Sequence, residues 1–374
     1  MHVGLAGAAG LATAISSGCA PEIPVVDTGT TMVSSASSSE SGPTMGVGTL
    51  DTSGDATATS GGGSSSDDTS TGTTPAWGRP EELVVLTDDG EDLVVFSLVS
   101  ASDHIHVGAL SPNFYTRHWV VHRETGEIAT TSPIGGVLAR SAGFVYATGL
   151  RNGGGGNPDA EWALNRMAHD GTGDTELLVS AEAMYVRAAS PDGAFVERLV
   201  GAGMRELWRV EDEGSPARVG ELAESDVSLA LFDEDRLVVV DGEAMELASV
   251  DLVTLVAQPL APLDDSALAL AGNSFGVYVA GFETVVRVAK PDYATDVLYP
   301  ETTIDVAADD AAVVWVSSTG PRNSRILAAD ATGNDAVVVW EEAAAISHVA
   351  LDPNALYFVR ETLEVGALVR IDRP

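Results

Sequence analysis

The chain has 374 residues, 45% of them hydrophobic, and its 55 acidic residues against 19 basic ones set a formal charge of −36. That balance excludes nucleic acid as a partner, because such binding rests on Lys and Arg neutralising phosphates. A single cysteine excludes an internal disulfide and any multi-cysteine metal cage, and no apolar run reaches the roughly 20 residues of a membrane span.

Val3–Ile15 is a small-residue apolar stretch, of signal-peptide length and too short to cross a bilayer. Ser16, Ser17, Gly18 and Cys19 follow it directly. This segment resembles a bacterial lipoprotein signal, in which small residues precede a cysteine that takes a diacylglycerol group and becomes the mature N-terminus. The resemblance implies a signal peptide over 1–18 and lipidation at Cys19. The thiol is the nucleophile in that chemistry, and several acyl chains anchor stably where one does not.

From Asp27 to Ala76, 33 of 50 residues are Ser, Thr or Gly and none is aromatic. Such a segment cannot bury enough apolar surface to offset its ordering entropy. Residues 19–80 are therefore expected to form a disordered tether between the lipid and a domain over 81–374.

Beyond Glu81 the composition changes. Short Val-rich and aromatic runs alternate with clusters of Gly, Asp, Asn and Pro, and no helical period appears. One unit recurs as strand, connection, strand, polar turn: FVYATGL with ALNRMAHDG, AFVERLV with ELWRVEDEG, GVYVAG with VVRVAKPDY. A marker late in the second of these strands falls at His122, Met167, Val210, Val250, Val288, Ala329 and Ile371, with spacings of 45, 43, 40, 38, 41 and 42. Four-strand units of this period predict an all-β propeller of seven blades, with six or eight as the neighbouring counts. The last unit supplies three strands, so the segment Glu82–Thr87 is expected to return as its fourth and close the ring.

The units around Ser190–Pro191–Asp192–Gly193 and Asp352 resemble the repeats of TolB-like periplasmic propellers. The unit IDVAADDAAVVWVSSTG with RILAADATG is similar to repeats of myxobacterial propeller lipoproteins. The resemblance implies an exported, outer-membrane-anchored protein, on the periplasmic or the cell-surface side. It describes architecture, and a fold does not carry a function with it.

Four groups of residues invite a chemical reading. Asp192, Asp233, Asp309 and Asp352 align at the turn before the aromatic strand, where Asp bonds its own backbone. His104, His106 and His122 would form a transition-metal site if His106 faced His122 across the hairpin. However, His106 aligns with Tyr146, Tyr278, Trp315 and Tyr357, so a ring wanted for packing is the expected reading, with no metal and no cofactor. Arg166, Arg209, Arg287 and Arg370 share one repeat position, which points to a structural pairing. No nucleophile elbow, zinc-protease helix, phosphate loop or sialidase Asp-box occurs.

The expected function is a non-catalytic platform for a protein or glycan partner, monomeric and held to the membrane by its lipid alone. The alternative is a divergent propeller hydrolase or lactonase acting at the central channel. Connections between second and third strands are the candidate binding loops: Phe114, Tyr115 and Arg117 in blade 1, Arg151 and Asn157 in blade 2, Arg322 and Asn323 in blade 6. Loops carry function more often than the scaffold beneath them, and exposed aromatic and Arg residues favour interfaces.

Overall fold

The computed structural model describes residues 76–87, 94–110, 115–151, 160–201, 204–222, 227–233, 236–242, 244–320, 322–361 and 366–374. Cys19, Phe114 and Asn157 lie outside these residues. The first strand, β1, is Glu81–Leu86. Blade 1 is β2–β5 (Val94–Ala101, His104–Leu110, Thr116–His122, Ile128–Ser132), and blade 2 is β6–β9 (Val137–Arg140, Phe144–Leu150, Trp162–Ala168, Thr175–Ser180). Blade 3 is β10–β13 (Met184–Ser190, Gly193–Val200, Met204–Glu211, Ala217–Leu222), and blade 4 is β14–β17 (Val227–Asp233, Arg236–Asp241, Glu246–Val250, Ala257–Pro262). Blade 5 is β18–β21 (Ala267–Asn273, Gly276–Gly281, Val285–Ala289, Thr295–Tyr299). Blade 6 is β22–β25 (Thr303–Ala308, Ala312–Gly320, Asn323–Asp330, Val337–Glu342). Blade 7 is β26–β28 (Ala345–Leu351, Ala355–Glu361, Gly366–Asp372), completed by β1.

Each blade is an antiparallel sheet in chain order, apart from blade 7, where β1 pairs with β28 from Glu81↔Arg370 to Leu86↔Gly366. The first strand of each blade touches the first strand of the next, from β2 round to β26 and back to β2. The ring is therefore closed, and no four-stranded sheet is left with a bare face. Trp77 packs against the cluster between blades 6 and 7, and Gly78 N–H donates to Asp372 O (2.9 Å), so the chain docks just ahead of β1.

The hydrophobic core is seven cores. Each apolar cluster draws on two adjacent blades, such as Ile105, Val107 and Trp119 with Tyr357, Val359 and Leu368 between blades 1 and 7. Side chains in a strand alternate between faces, so each blade fills one seam with each face. Ala194 and Val196 face blade 2, while Phe195 faces blade 4.

Polar residues repeat in the seams as regularly as the apolar ones. Tyr146, Phe195, Tyr278 and Tyr357 each sit opposite an arginine of the neighbouring strand: Arg166, Arg209, Arg287 and Arg370. Three of these arginines reach the turn after the third strand of the next blade. Arg166 Nη1 donates to Asp212 O, Arg287 Nη1 to Thr332 O (2.6 Å) and Arg370 Nη1 to Arg123 O (3.3 Å). The turn between first and second strands reaches the same neighbour, through Ser141–Asp212 (2.7 Å), Asp233–Lys290, Asn273–Ala331 O (2.8 Å), Asp309–Arg373 and Asp352–Arg123 (3.2 Å). Asp309 and Asp352 also accept the expected backbone N–H groups of their own turns.

Three expected alignments are corrected. The blade 1 hairpin pairs His104 with His122 and His106 with Val120, two residues from the expected register. Val121, buried in the seam to blade 7, holds the marker position there rather than His122. In blade 6, Val314 takes the place of Tyr357, and Trp315 points the other way, into the seam with blade 5. Ser190 ends β10 at the position of Asp233, so Asp192 stands two residues further on, inside the turn.

Candidate functional site

Strand polarity divides the loops between the two ends of the ring. Connections between second and third strands, and between blades, emerge at one end. Turns between first and second strands, and between third and fourth, emerge at the other. The candidate loop residues belong to the first end. Tyr115 is exposed and Arg117 half-buried at the start of β4. Arg151 opens the long blade 2 loop and is ion-paired with Glu161 (3.1 Å) and Glu176 (3.0 Å). In blade 6, Gly320 pairs with Asn323, so the loop is a tight hairpin with Arg322 and Asn323 exposed at its tip. Asn323 is thus already the first residue of β24, because the alternation of β23 and β24 runs almost to the turn.

Two cavities open at the other end. One, of about 470 Å³, lies among the ends of β6, β10, β14 and β18 at the mouth of the channel. Its floor is small and apolar (Ala139, Ala188, Ala189, Ala230, Phe232), and its polar groups are Arg140, Asp233, Asn273, Ser274 and Lys290. The volume suits a small ligand. Its chemistry is largely committed to structure. Lys290, the only lysine, is ion-paired with Asp233 and donates to Asn273 O (2.8 Å), while Arg140 Nη1 donates to Ser100 O (2.6 Å). Asp233 is the one carboxylate among the lining residues, and no histidine joins it.

A second cavity, of about 300 Å³, opens over the seam between blades 1 and 2 and is lined by Ser102, Asp103, His104, Gly143, Ala168, His169 and Asp170. Five of the seven histidines gather here. His104, which lines the cavity, meets His122 edge to face (5.3 Å between ring centres). His106 and His118 are fully buried and bonded to each other, Nδ1 to Nε2, at 2.9 Å. The structure therefore separates the three metal candidates, with His106 fully buried and His104 and His122 half-buried. Among the described residues, no three His, Cys, Asp or Glu side chains are grouped to hold a metal ion.

Sequence reasoning missed a charged cluster in blade 3. The buried Glu197 takes Arg187 Nη2 (2.6 Å) and Arg205 Nη1 (2.8 Å), and the Arg187 guanidinium lies over the Tyr185 ring (4.9 Å). Burial pushes the Tyr185 hydroxyl up to about 12, so it stays protonated at neutral pH. Lys290 was missed too, although its position was readable: it follows the third strand of its blade, as Arg123, His169, Asp212 and Arg373 do in theirs.

No protein-family model matches the sequence, and no curated protein matches it. Solved structures do match, as propellers. U3-55K aligns at 11% identity over 78% of this chain and 98% of its own, with a TM-score of 0.56. The Pan2 WD40 domain of Neurospora crassa aligns at 9% identity over 78% and 95%, with a TM-score of 0.57. The propeller domain of the Trilobed protease from Pyrococcus furiosus aligns at 7% identity over 77% and 95%, also at 0.57. That domain is described as having an open velcro topology, whereas here β1 closes the last blade. At these identities the likeness is one of fold.

Proposed function

We propose that the chain is an exported cell-envelope lipoprotein, anchored through Cys19 and a spacer over 19–80, whose propeller is a platform for a protein or glycan partner. The resemblance of residues 1–19 to a lipoprotein signal and of the repeats to TolB-like propellers supports the location. The observation that carries the platform reading is the use of polar side chains. Those of the seams clasp one blade to the next, and the channel cavity holds one carboxylate already bound to Lys290. A propeller hydrolase would need a second acid or a histidine across that cavity from Asp233. The described lining residues supply neither.

The loop end is the proposed working face, with Phe114, Tyr115, Arg117, Arg151, Asn157, Arg322 and Asn323 as contact residues. The test is affinity capture from cell envelopes with the mature protein, its N-terminus first checked by mass spectrometry for acylated Cys19. Replacing Phe114, Tyr115, Arg151 and Arg322 together with alanine is expected to abolish the captured partner and leave the melting curve unchanged. Capture that survives the quadruple change rejects the face, and an unmodified Cys19 rejects the anchor.

A further inference from the structure

Blade 1 breaks its own repeat at two touching positions. The place of His106 is held by Tyr146, Phe195, Tyr278 and Tyr357 in blades 2, 3, 5 and 7. The place of His118 is aliphatic in every other blade: Leu164, Leu207, Leu247, Val285, Ile326 and Leu368, all buried. Packing alone is thus met six times by a hydrocarbon, and once by an imidazole at no gain in apolar contact.

The hydrogen bonds fix what these rings must be. His106 Nε2 faces His169 O (2.9 Å), and a carbonyl only accepts, so Nε2 carries the proton and Nδ1 is bare. His118 Nε2–H then donates to His106 Nδ1 (2.9 Å), leaving His118 Nδ1 buried, bare and without a partner. His169 Nε2–H donates to Ser141 O (3.2 Å), so its Nδ1 accepts from Ser102 Oγ–H (3.1 Å). In this chain of bonds, from β4 through β3 to the turn after β8, the link between His106 and His118 is met with no N–H lacking an acceptor only while both rings are neutral, whereas the Ser102 hydroxyl can serve His169 in either state. A proton on His106 Nδ1 would either set two N–H groups against each other or drive the His118 proton onto its buried Nδ1, which has no acceptor. A proton on His118 Nδ1 would be buried with nothing to receive it.

We propose that the seam between blades 1 and 2 is an acid-operated latch, closed while His106 and His118 are neutral and loosened when either takes up a proton. The surroundings favour the neutral state. From blade 1, the facing groups are His104 and His122, with Asp103 in the turn. From blade 2 they are His169, Asp170 and Asp174 near β8, and Arg140 at the end of β6, bonded to Ser100 O. β7 and β8 turn Val145, Ala147, Ala163 and Met167 toward this seam. Burial is the largest influence on His106 and brings it down to about 4; the bond to His169 O and the Asp170 carboxylate oppose this only in part. Burial, with His106 beside it, holds His118 well below the ordinary histidine value.

The sign follows from linkage. A base whose folded-state value is depressed stabilises the closed seam above the ordinary value of 6.5 and loses that contribution as pH falls toward about 4. From His106 alone, opening of the seam should rise about 30-fold between pH 7.5 and pH 5, and more if His118 also protonates.

Hydrogen exchange of the whole chain, expressed as protection factors at the two pH values, reads this directly. Amides of β3, β4, β7 and β8 should lose about 30-fold in protection at pH 5. Those of β19, β20, β23 and β24, across the Tyr278 seam, should keep theirs. The double variant His106→Tyr with His118→Leu imports the Tyr146 and Leu164 pair of blade 2 and should erase the pH dependence while keeping protection at pH 7.5. Equal loss in all blades, or an unchanged acid response in the double variant, overturns the proposal. If the variant does not fold, a histidine NMR titration of the unmodified protein decides. Nε2-protonated rings at positions 106 and 118 through pH 6 support the latch, and either ring titrating near 6.5 with the seam still protected removes it.

Discussion

Replacing Asp352 with alanine tests whether the blade-to-blade clasps hold this ring together. Asp352 Oδ1 accepts N–H from Asn354 (2.6 Å) and Ala355 (2.8 Å). Its Oδ2 accepts from Tyr357 Oη (3.0 Å) and from Arg123 Nη1 (3.2 Å), which belongs to blade 1. The side chain is 4% exposed, so water cannot replace these bonds. Alanine leaves the Tyr357 hydroxyl and two turn N–H groups without their acceptor, at about 1 kcal/mol each. It also removes one of three carboxylates from Arg123, which keeps Asp103 (3.1 Å) and Glu124 (3.7 Å), adding about another 1 kcal/mol. The sum is about 4 kcal/mol. A domain of roughly 290 residues unfolds with about 0.6 kcal/mol per kelvin of entropy, so the melting midpoint should fall by about 7 °C. The matched control is Asp192→Ala, since Asp192 is 65% exposed and bonded to the exposed Arg209. Its change should stay under about 1 kcal/mol, or within 2 °C. Scanning calorimetry of the two variants side by side decides. Equal shifts, or a fall of less than 2 °C for Asp352→Ala, would refute the claim that burial of the clasp sets its strength.

His348 should respond to pH in the opposite sense from the blade 1 histidines. Its Nε2–H donates to Val95 O (3.0 Å) and its Nδ1 faces Asp305 Oδ2 (3.3 Å), two acceptors that together call for the charged ring. Burial disfavours that charge, but Asp305 and Val95 O outweigh it and raise His348 above its ordinary value. Its contribution is therefore complete below 6.5 and lost as pH rises through the folded-state value. The melting difference between wild type and His348→Gln should be larger at pH 6 than at pH 9, and a difference that grows with pH refutes it. Gly135 lies in the link between β5 and β6, where a Cβ would overlap the Cβ and backbone of His118. Gly135→Ala should cost about 2–3 kcal/mol by overpacking. Gly173, at φ +66° with open space around it, should lose only about 1 kcal/mol from its backbone conformation when changed to Ala. Urea midpoints that rank the two glycines the other way would show that the link yields.

The period of the sequence was enough to find the blades, their number and the strand that closes the ring, because each unit obeys the same local rules of alternation and turn chemistry. Asp309 and Asp352 were legible for the same reason, since their backbone partners lie two and three residues away. Register was less legible. Side chains alternate faces, so a one-residue slip at His122 or Trp315 sends the ring to the wrong seam. The clasps were hidden more deeply, because Asp309 and Arg373, or Asp352 and Arg123, meet only once the blades are assembled. One further signal was present: the residue after the third strand is polar in six of the seven blades, and Lys290 holds that position in blade 5.

A closed ring of near-equivalent seams gives departures from the repeat their meaning. Each seam must bury a cluster of aliphatic side chains and satisfy the polar groups of two turns, and most manage this with Tyr or Phe, Arg, Asp and Leu. Where a seam uses histidine instead, the same architectural requirement acquires a dependence on proton concentration. The His106–His118 pair needs neutral rings, and His348, joining blades 6, 7 and 1, needs a charged one. Acid therefore strains one side of blade 1 and base the other. The ring should be most stable between the two titrations, and the first seam to open should differ at the two extremes. Other seams carry the same load without a buried histidine pair, so that asymmetry is a property of blade 1 and not of propellers in general.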